Sequence, residues 1–583
     1  MKELRIDLIK KYLRPHRKAL YFGAASLLLV NILSVVIPME VRRIIDDLKD
    51  GFTFNDVLLE ALWIVGLASA MGVIRLFSRQ LVFGVGRQVE VDIRQRLFDH
   101  MLCQDPSWLQ QIGSGEVITR STSDIENIRR LLGFAVLSLT NTFLAYSLTL
   151  PAMLAIDPLM TVASISLYPL MLGIVSLFGG RMVKQRKRQQ EALSSLSELI
   201  QEDLSGISAI KIYGQEKSEQ KAFSKLNNNY RDSAIKLART ASTLFPLLQG
   251  ISSISLLLLI AIGSGRLENN SLTIGGLVAL ILYVERLVFP TALLGFTLNT
   301  FQLGQVSLER VEELLNRKPL IKDPPIPIKI KKRILGKLEA KHLSIKYENS
   351  DRNIIKDLNF SIKAGELVAL VGPVGSGKTT IARALGRTIQ VEKNQLFIDD
   401  LDIVNISLED LRKNIALVPQ EGYLFTTTLA NNIRYGDPNA SDEDIKNSAT
   451  QSRLIDDINA FPDGFQTLVG ERGITLSGGQ RQRTALGRAL LMKAPLIVLD
   501  DALASVDNKT ASEIISSIRK QTASTILLIS HQLSAAAACD RILVIDEGKL
   551  VQEGVHSELI KKNGLYRSLW EREKAVEQIE KVT

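Results

Sequence analysis

The run Gly372-Pro373-Val374-Gly375-Ser376-Gly377-Lys378-Thr379-Thr380 fits G-x-x-x-x-G-K-[ST], a spacing whose chemistry is the holding of phosphate. Glycines let successive backbone N–H groups curl around phosphate oxygens, and a helix N-terminus behind them adds positive potential. Lys378 is then placed to reach the β/γ-phosphates, and the Thr379 hydroxyl to ligate Mg²⁺. The run follows an apolar strand, 367–371, and precedes a helix beginning near Thr379, which is the setting the motif needs. By average residue usage the bare pattern arises by chance in a chain this long with a probability on the order of a few per cent. A second apolar strand, Leu496-Ile497-Val498-Leu499-Asp500, ends in a carboxylate that can hold the same Mg²⁺ through its water shell. Alone that signal is weak, since buried strands often end in Asp.

The elements that must position these residues form a soluble α/β pattern from 335 onward. Short apolar strands at 367–371, 415–418, 496–499, 526–529 and 542–545 alternate with helices. The preceding part of the chain is different. Up to about 318 it holds long stretches without Asp, Glu, Lys or Arg: 19–39, 131–156, 158–180, 240–265 and 287–308. Each is long enough to cross about 30 Å of hydrocarbon as a helix. Two weaker stretches, 61–74 and 269–284, are interrupted by Arg75 and by Glu285-Arg286. Six spans follow, at about 19–39, 57–80, 132–155, 159–180, 243–265 and 272–300, the last continuing as a helix to Arg317. The predicted organisation is a membrane domain over 1–318, a Pro- and Lys-rich linker over 319–334 and an α/β domain over 335–583.

Composition agrees with membrane content. Of 583 residues 46% are apolar, and two cysteines, Cys103 and Cys539, exclude a disulfide scaffold and sit at no zinc-ligand spacing. The net charge of +9 would suit a nucleic-acid partner, but six spans exclude a soluble protein of that kind and point to positive cytoplasmic loops. A signal peptide competes for the N-terminus; the first apolar run is too long and no small-x-small site follows it. Residues 2–18 read instead as an interfacial helix on the inner leaflet. The 181–239 connection opens with Arg181, Lys184, Arg186, Lys187 and Arg188 and falls on the same cytoplasmic side. It and 87–103 read as helices, so the spans extend below the membrane, with breaks at Asp105-Pro106 and Tyr213-Gly214 presenting transverse turns.

Between the phosphate loop and Asp500 lies Leu476-Ser477-Gly478-Gly479-Gln480, followed by a helix expected over about 482–492. Walker A, Leu-Ser-Gly-Gly-Gln and Walker B in this order resemble an ATP-binding cassette. With six preceding spans, about residues 1–575 resemble a bacterial ABC exporter half-transporter. The fold implied is an all-α six-helix transmembrane domain fused to an α/β P-loop nucleotide-binding domain, membrane-embedded at the inner (plasma) membrane with the cassette cytoplasmic. The resemblance implies ATP and Mg²⁺ as cofactors, with Tyr347 stacking on adenine and Gln420 reaching Mg²⁺ or the attacking water. It implies that Thr467–Gly473, with Glu471 and Arg472, is the loop set against the coupling turns, that Ala504-Ser505-Val506-Asp507 is the D-loop, and that His531 is the switch contacting the γ-phosphate. In this family the signature caps ATP bound to a second cassette, so Ser477, Gly478, Gly479 and Gln480 would serve the partner's nucleotide. The chain is then half of a dimer.

One position departs from the family pattern. Hydrolytic cassettes usually carry Glu after the Walker B Asp, whereas here the residue is Asp501, one methylene shorter. A misplacement of about 1 Å can cost about 10²-fold in rate. An intact signature with Asp-Asp resembles the degenerate-site subunit of bacterial heterodimeric multidrug exporters, with the partner supplying the Glu. The implied function is ATP-driven export of hydrophobic or amphipathic small molecules; a lipid flippase, a hydrolytic homodimeric exporter and a non-hydrolysing regulatory subunit are the alternatives. Arg75, Arg79 and Glu285-Arg286 lie within or near the bilayer, where they line the path or, the blander expectation, form a structural ion pair or interface anchor.

Overall fold

The computed structural model describes residues 6–48, 53–330, 333–347, 352–506, 508–521 and 523–580. The chain divides into two compact units, one of Met1–Leu102 with Gly113–Arg317 and one of Cys103–Ile112 with Lys318–Thr583.

In the first unit six helices are long and apolar enough to cross a membrane: Ile6–Asp47, Phe54–Leu102, Ser114–Ile156, Pro158–Ser205, Glu216–Glu268 and Ile274–Asn316. Five of the expected spans fall inside one of these helices, and the sixth, 272–300, begins two residues ahead of Ile274. A short 3₁₀ turn at Arg14–His16, containing Pro15, separates the basic segment Ile6–Leu13 from the first span. Between the third and fourth helices the chain reverses at a single extended residue, Asp157, whose carboxylate caps Met160 N–H at 3.0 Å with Pro158 at the first helical position. The helices meet where glycine permits. A Cβ on Gly304 would lie 2.4 Å from the Leu131 side chain, and one on Gly275 2.3 Å from the Arg42 carbonyl oxygen.

Three features here depart from the sequence reading. Two single turns of π-helix, Arg120–Asp124 and Leu131–Ala135, interrupt the third helix. The 181–239 connection breaks at the expected Gly214, left-handed at φ 62°, and also, unforeseen, after Ser205 at Gly206. No Glu285–Arg286 ion pair forms among the described residues; Glu285 is exposed and Arg286 donates to Asn31. Adjacent helical residues point about 100° apart, so that pairing is geometrically disfavoured.

Among the described residues the second unit holds ten strands: β1 (Leu338–Lys346), β2 (Asn353–Ile362), β3 (Leu367–Val371), β4 (Leu396–Ile398), β5 (Leu401–Asp402), β6 (Ile415–Val418), β7 (Leu496–Asp500), β8 (Thr525–Ile529), β9 (Arg541–Asp546) and β10 (Lys549–Gly554). They form an antiparallel sheet in the order β2-β1-β4-β5 and a second sheet in the order β10-β9-β3-β8-β7-β6. Within the latter, β9, β3, β8, β7 and β6 run parallel and β10 is an antiparallel edge. Every residue of β3, β7 and β8 is buried, because a parallel sheet is covered on both faces; hence their unbroken apolar runs. The turn helix Pro106–Ile112 clusters with this unit, and buried Asp105 accepts from Leu320 N–H at 2.8 Å and Ile321 N–H at 3.1 Å. Farther along, Asp323 accepts from Leu408 N–H at 2.7 Å and Ile328 bridges to Ile406.

Candidate functional site

Parallel order brings the C-terminal ends of β3, β7 and β8 side by side, which is where α/β sheets carry their ligands. From β3 the chain enters the glycine loop with Val374 at its apex, 88% exposed. Gly375 and Gly377 adopt left-handed φ of 83° and 100°. At Gly377 a Cβ would also lie 2.5 Å from Ile355 Cδ1, so only glycine fits. The helix Lys378–Leu385 starts one residue earlier than the sequence suggested. Lys378 is buried, and its Nζ donates to the carbonyls of Gly372 and Pro373, each at 2.8 Å, with Ser376 Oγ at 3.4 Å. Burial pulls the ammonium below the usual lysine range, while the charges of Asp501 and Asp500 oppose that shift.

Thr379 Oγ1 donates to Asp500 Oδ1 at 3.1 Å, which brings together the two oxygen donors assigned to Mg²⁺. Burial raises the Asp500 carboxyl above its ordinary value and the neighbouring Asp501 charge adds to this, against the Thr379 hydrogen bond and the cations Arg383 and Lys378. Asp501 has a left-handed backbone at φ 51°, and its N–H donates to Ile529 O at 2.8 Å. Its carboxylate accepts from Gln420 Nε2 and from the His531 backbone N–H, each at 3.4 Å. Of the three residues assigned catalytic roles, Gln420 through its amide and His531 through its backbone N–H thus meet the carboxylate of the third, Asp501. Tyr347 follows β1 directly, and its hydroxyl lies 3.4 Å from Thr380 Oγ1 on the first turn behind the glycine loop.

The signature is organised separately. Ser477 caps the helix Gly478–Leu491, accepting from Gln480 N–H at 3.2 Å while Gln480 Oε1 accepts from Ser477 N–H at 2.9 Å. This capping box starts the helix at Gly478, ahead of the expected 482. Ser477 is exposed, and among the described residues no hydrogen bond joins Ser477, Gly478, Gly479 or Gln480 to the glycine loop, Asp500 or Asp501. In the D-loop, Ser505 N–H donates to Gln482 Oε1 at 2.8 Å, whereas Asp507 lies outside the described residues, as does the Arg472 side chain.

Three supporting residues escaped the sequence reading. Asp457 accepts from Gln480 Nε2 at 3.0 Å and from Arg483 at 2.7 Å, holding the signature helix from outside. Gln482 ties that helix to the D-loop. Glu573, from the helix Leu565–Glu580, accepts from Leu533 N–H at 2.8 Å and Ser534 N–H at 3.4 Å, just beyond His531.

A P-loop cassette with a separate signature helix, joined in one chain to six apolar helices, defines an ATP-coupled membrane transporter. Residues 20–291 match the family model for the ABC transporter transmembrane region and residues 355–504 the model for the ABC transporter. Over 550 residues, 94% of each chain, the sequence is 31% identical to the "Probable multidrug resistance ABC transporter ATP-binding/permease protein YheI" of Bacillus subtilis (strain 168). It is 29% identical over 554 residues to the "Multidrug resistance-like ATP-binding protein MdlA" of Escherichia coli (strain K12), covering 94% of this chain and 93% of that one. The fold is similar to a solved bacterial Atm1-family ABC exporter with ATP bound, at a TM-score of 0.77 and 26% identity, covering 96% and 98% of the two chains. The chain belongs to the ABC transporter family, as a multidrug-type exporter half-transporter with a transmembrane and an ATP-binding domain. It is a multi-pass membrane protein whose ATPase is coupled to transport.

Proposed function

We propose that this chain exports hydrophobic or amphipathic small molecules as the degenerate-site half of a heterodimer. One observation carries the reading: the residue after Asp500 is Asp501, its short carboxylate held back between the Gln420 amide and the His531 N–H at 3.4 Å each. A base must reach the attacking water at hydrogen-bond distance. A carboxylate one methylene short, already engaged at its rear, supports slow hydrolysis at this chain's own nucleotide. Exposed Ser477, capping a helix free of the chain's own glycine loop, supports a role at the ATP of a second cassette. The names of YheI and MdlA favour multidrug cargo over a lipid.

Mg²⁺ fits the donor set. Thr379 Oγ1 and Asp500 Oδ1 are hard oxygens 3.1 Å apart, with the Gln420 amide near Asp501 beside them. Among the described residues no cluster of three His, Cys, Asp or Glu exists to hold a metal alone, as suits an ion that arrives with nucleotide phosphates. When bound, Mg²⁺ neutralises charge on the β/γ-phosphates. Lys378 adds its ammonium from the glycine loop, Tyr347 carries the adenine face, and His531 lies in reach of the γ-phosphate. Closure of two such cassettes would drive the coupling turns at 105–111 and 212–217 and so the helices.

That Gln420 and His531 are both retained beside Asp501 favours, as a second reading, a slow but competent homodimer. Purification of the tagged chain from its native membrane separates the two. The heterodimer reading expects a second half-transporter with Glu after its Walker B Asp in the complex, and poor turnover by the chain alone. Robust ATP turnover by a homogeneous preparation, abolished by Asp501→Asn, would establish the homodimer.

A further inference from the structure

Arg286 lies roughly three turns into the helix Ile274–Asn316, about 18 Å along it and so near the middle of a hydrocarbon layer of about 30 Å. Its Nη2 donates to Asn31 Oδ1 at 3.1 Å. Asn31 is itself fixed, donating from Nδ2 to Leu27 O at 2.9 Å and to Asn141 Oδ1 at 3.2 Å. The other arm of the guanidinium, Nη1, is buried and has no hydrogen-bond partner among the described residues. Among the described residues no ion pair joins Arg286 to a carboxylate, and neighbouring Glu285 is exposed.

A second cation stands at the same level. Ser34 Oγ meets Met71 Sδ at 3.2 Å and Ser78 Oγ donates to Gly23 O at 3.0 Å, which sets the antiparallel register of the first two helices. Arg75, between Met71 and Ser78, is therefore level with the Leu27–Asn31 turn. Its Nη2 meets Met71 Sδ at 3.6 Å, and among the described residues no carboxylate pairs with it. Elsewhere the same bundle pairs its arginines: Arg43 sits at 3.1 Å from both Glu40 and Glu60, and Arg42 lies 3.7 Å from Asp46. An unsatisfied guanidinium arm at membrane depth, facing a like charge, is costly unless something anionic completes it.

We propose that Arg286 and Arg75, with Asn31 and Asn141 orienting the Arg286 fork, bind the anionic head of an amphipathic molecule, a phosphate-type group on an apolar body. The planar fork matches such a head in a two-point contact. That the bound molecule is cargo rests on the export reading above; the binding site does not. A phosphate head could belong to a membrane lipid or to an exported amphiphile, and the chemistry recognised is the same.

The test uses the full protein, with whatever subunit it carries, purified in dodecyl maltoside. Its melting midpoint is followed against dodecyl phosphate, phosphatidylglycerol and dodecyltrimethylammonium, in wild type and in the Arg286→Gln, Arg286→Lys and Arg75→Gln variants. A shift on adding ATP checks that each variant is folded. Dodecyl phosphate or phosphatidylglycerol should raise the wild-type midpoint saturably while the cation does not. Arg286→Gln should weaken that binding at least about tenfold, with Arg286→Lys and Arg75→Gln intermediate. Equal shifts with the cation, no shift with either phosphate, or a shift undiminished in both Gln variants would overturn the site. ATP-driven movement in inside-out vesicles then separates the sources: a fluorescent alkyl phosphate moves if the ligand is an exported amphiphile, fluorescent phosphatidylglycerol if it is a lipid. If neither moves while binding persists, the bound molecule is not cargo and the anion site stands.

Discussion

Lys378 is the mobile positive charge at the glycine loop, and its ammonium is held by the Gly372 and Pro373 carbonyls at 2.8 Å rather than by a carboxylate. Those contacts are exchangeable for phosphate oxygens. Lys378→Ala removes a charge-assisted contact of about 1.5–3 kcal/mol, so labelling of this chain by an azido-ATP analogue should need at least about tenfold more nucleotide. Unchanged labelling would count against the assignment. Asp500 supplies a pH test. Its carboxyl is raised on folding, chiefly by burial, from an ordinary value of 3.8. A raised group contributes stability that is full below the ordinary value and is lost as pH rises through the raised one. The melting midpoint should therefore fall as pH climbs from about 4 through the raised range, and Asp500→Asn should remove that component, raising the midpoint at pH 7 relative to wild type. At this scale the sequence was legible where spacing is local. Glycines, lysine and threonine within nine positions declare phosphate chemistry by themselves. Asp457 and Glu573 could not be read, because their partners lie 23 and 40 residues away and a lone carboxylate carries no sign of what folding will place on it.

Elements were legible wherever composition is one-sided. Charge-free runs located all six membrane helices, and an apolar helical period carried the last of them beyond the bilayer to Asn316. The signature helix was misjudged because two glycines depress helix propensity at its start. The Ser477-x-x-Gln480 box that begins it was nonetheless present in the sequence. The π turns at Arg120–Asp124 and Leu131–Ala135 leave no comparable pattern, and neither does the linker's fastening. That fastening is Asp105, buried, accepting from Leu320 and Ile321 N–H. Asp105→Ala leaves both amides without an acceptor, a loss of about 2 kcal/mol that should free the linker locally. Trypsin cleavage after Lys322 in the full chain should accelerate about tenfold or more. Asp105→Asn, which keeps one acceptor oxygen, should be intermediate. An unaltered cleavage rate in Asp105→Ala would mean the linker is held by other contacts.

For the whole molecule the proposed second cassette was legible only through resemblance, since no spacing within one chain states that the signature serves another. Geometry adds that Ser477 is exposed and makes its hydrogen bonds within its own capping box, while Asp501 turns into the chain's own site. On the proposed reading, the one physical trace of a partner in this chain is the short carboxylate of Asp501. The proposed division of labour assigns Ser477 to the partner's ATP and Asp501 to this chain's own, so two substitutions in one chain report on two sites. Steady-state ATPase of the assembled complex is the direct measurement. Ser477→Arg places a bulky cation where the γ-phosphate is to be capped and should bring turnover close to background. Asp501→Asn removes a carboxylate already too short for the task, leaves Asp500 and Thr379 in place, and should retain about half of the activity or more. If Asp501→Asn is as damaging as Ser477→Arg, Asp501 is a working catalytic base and the degenerate-site account is wrong.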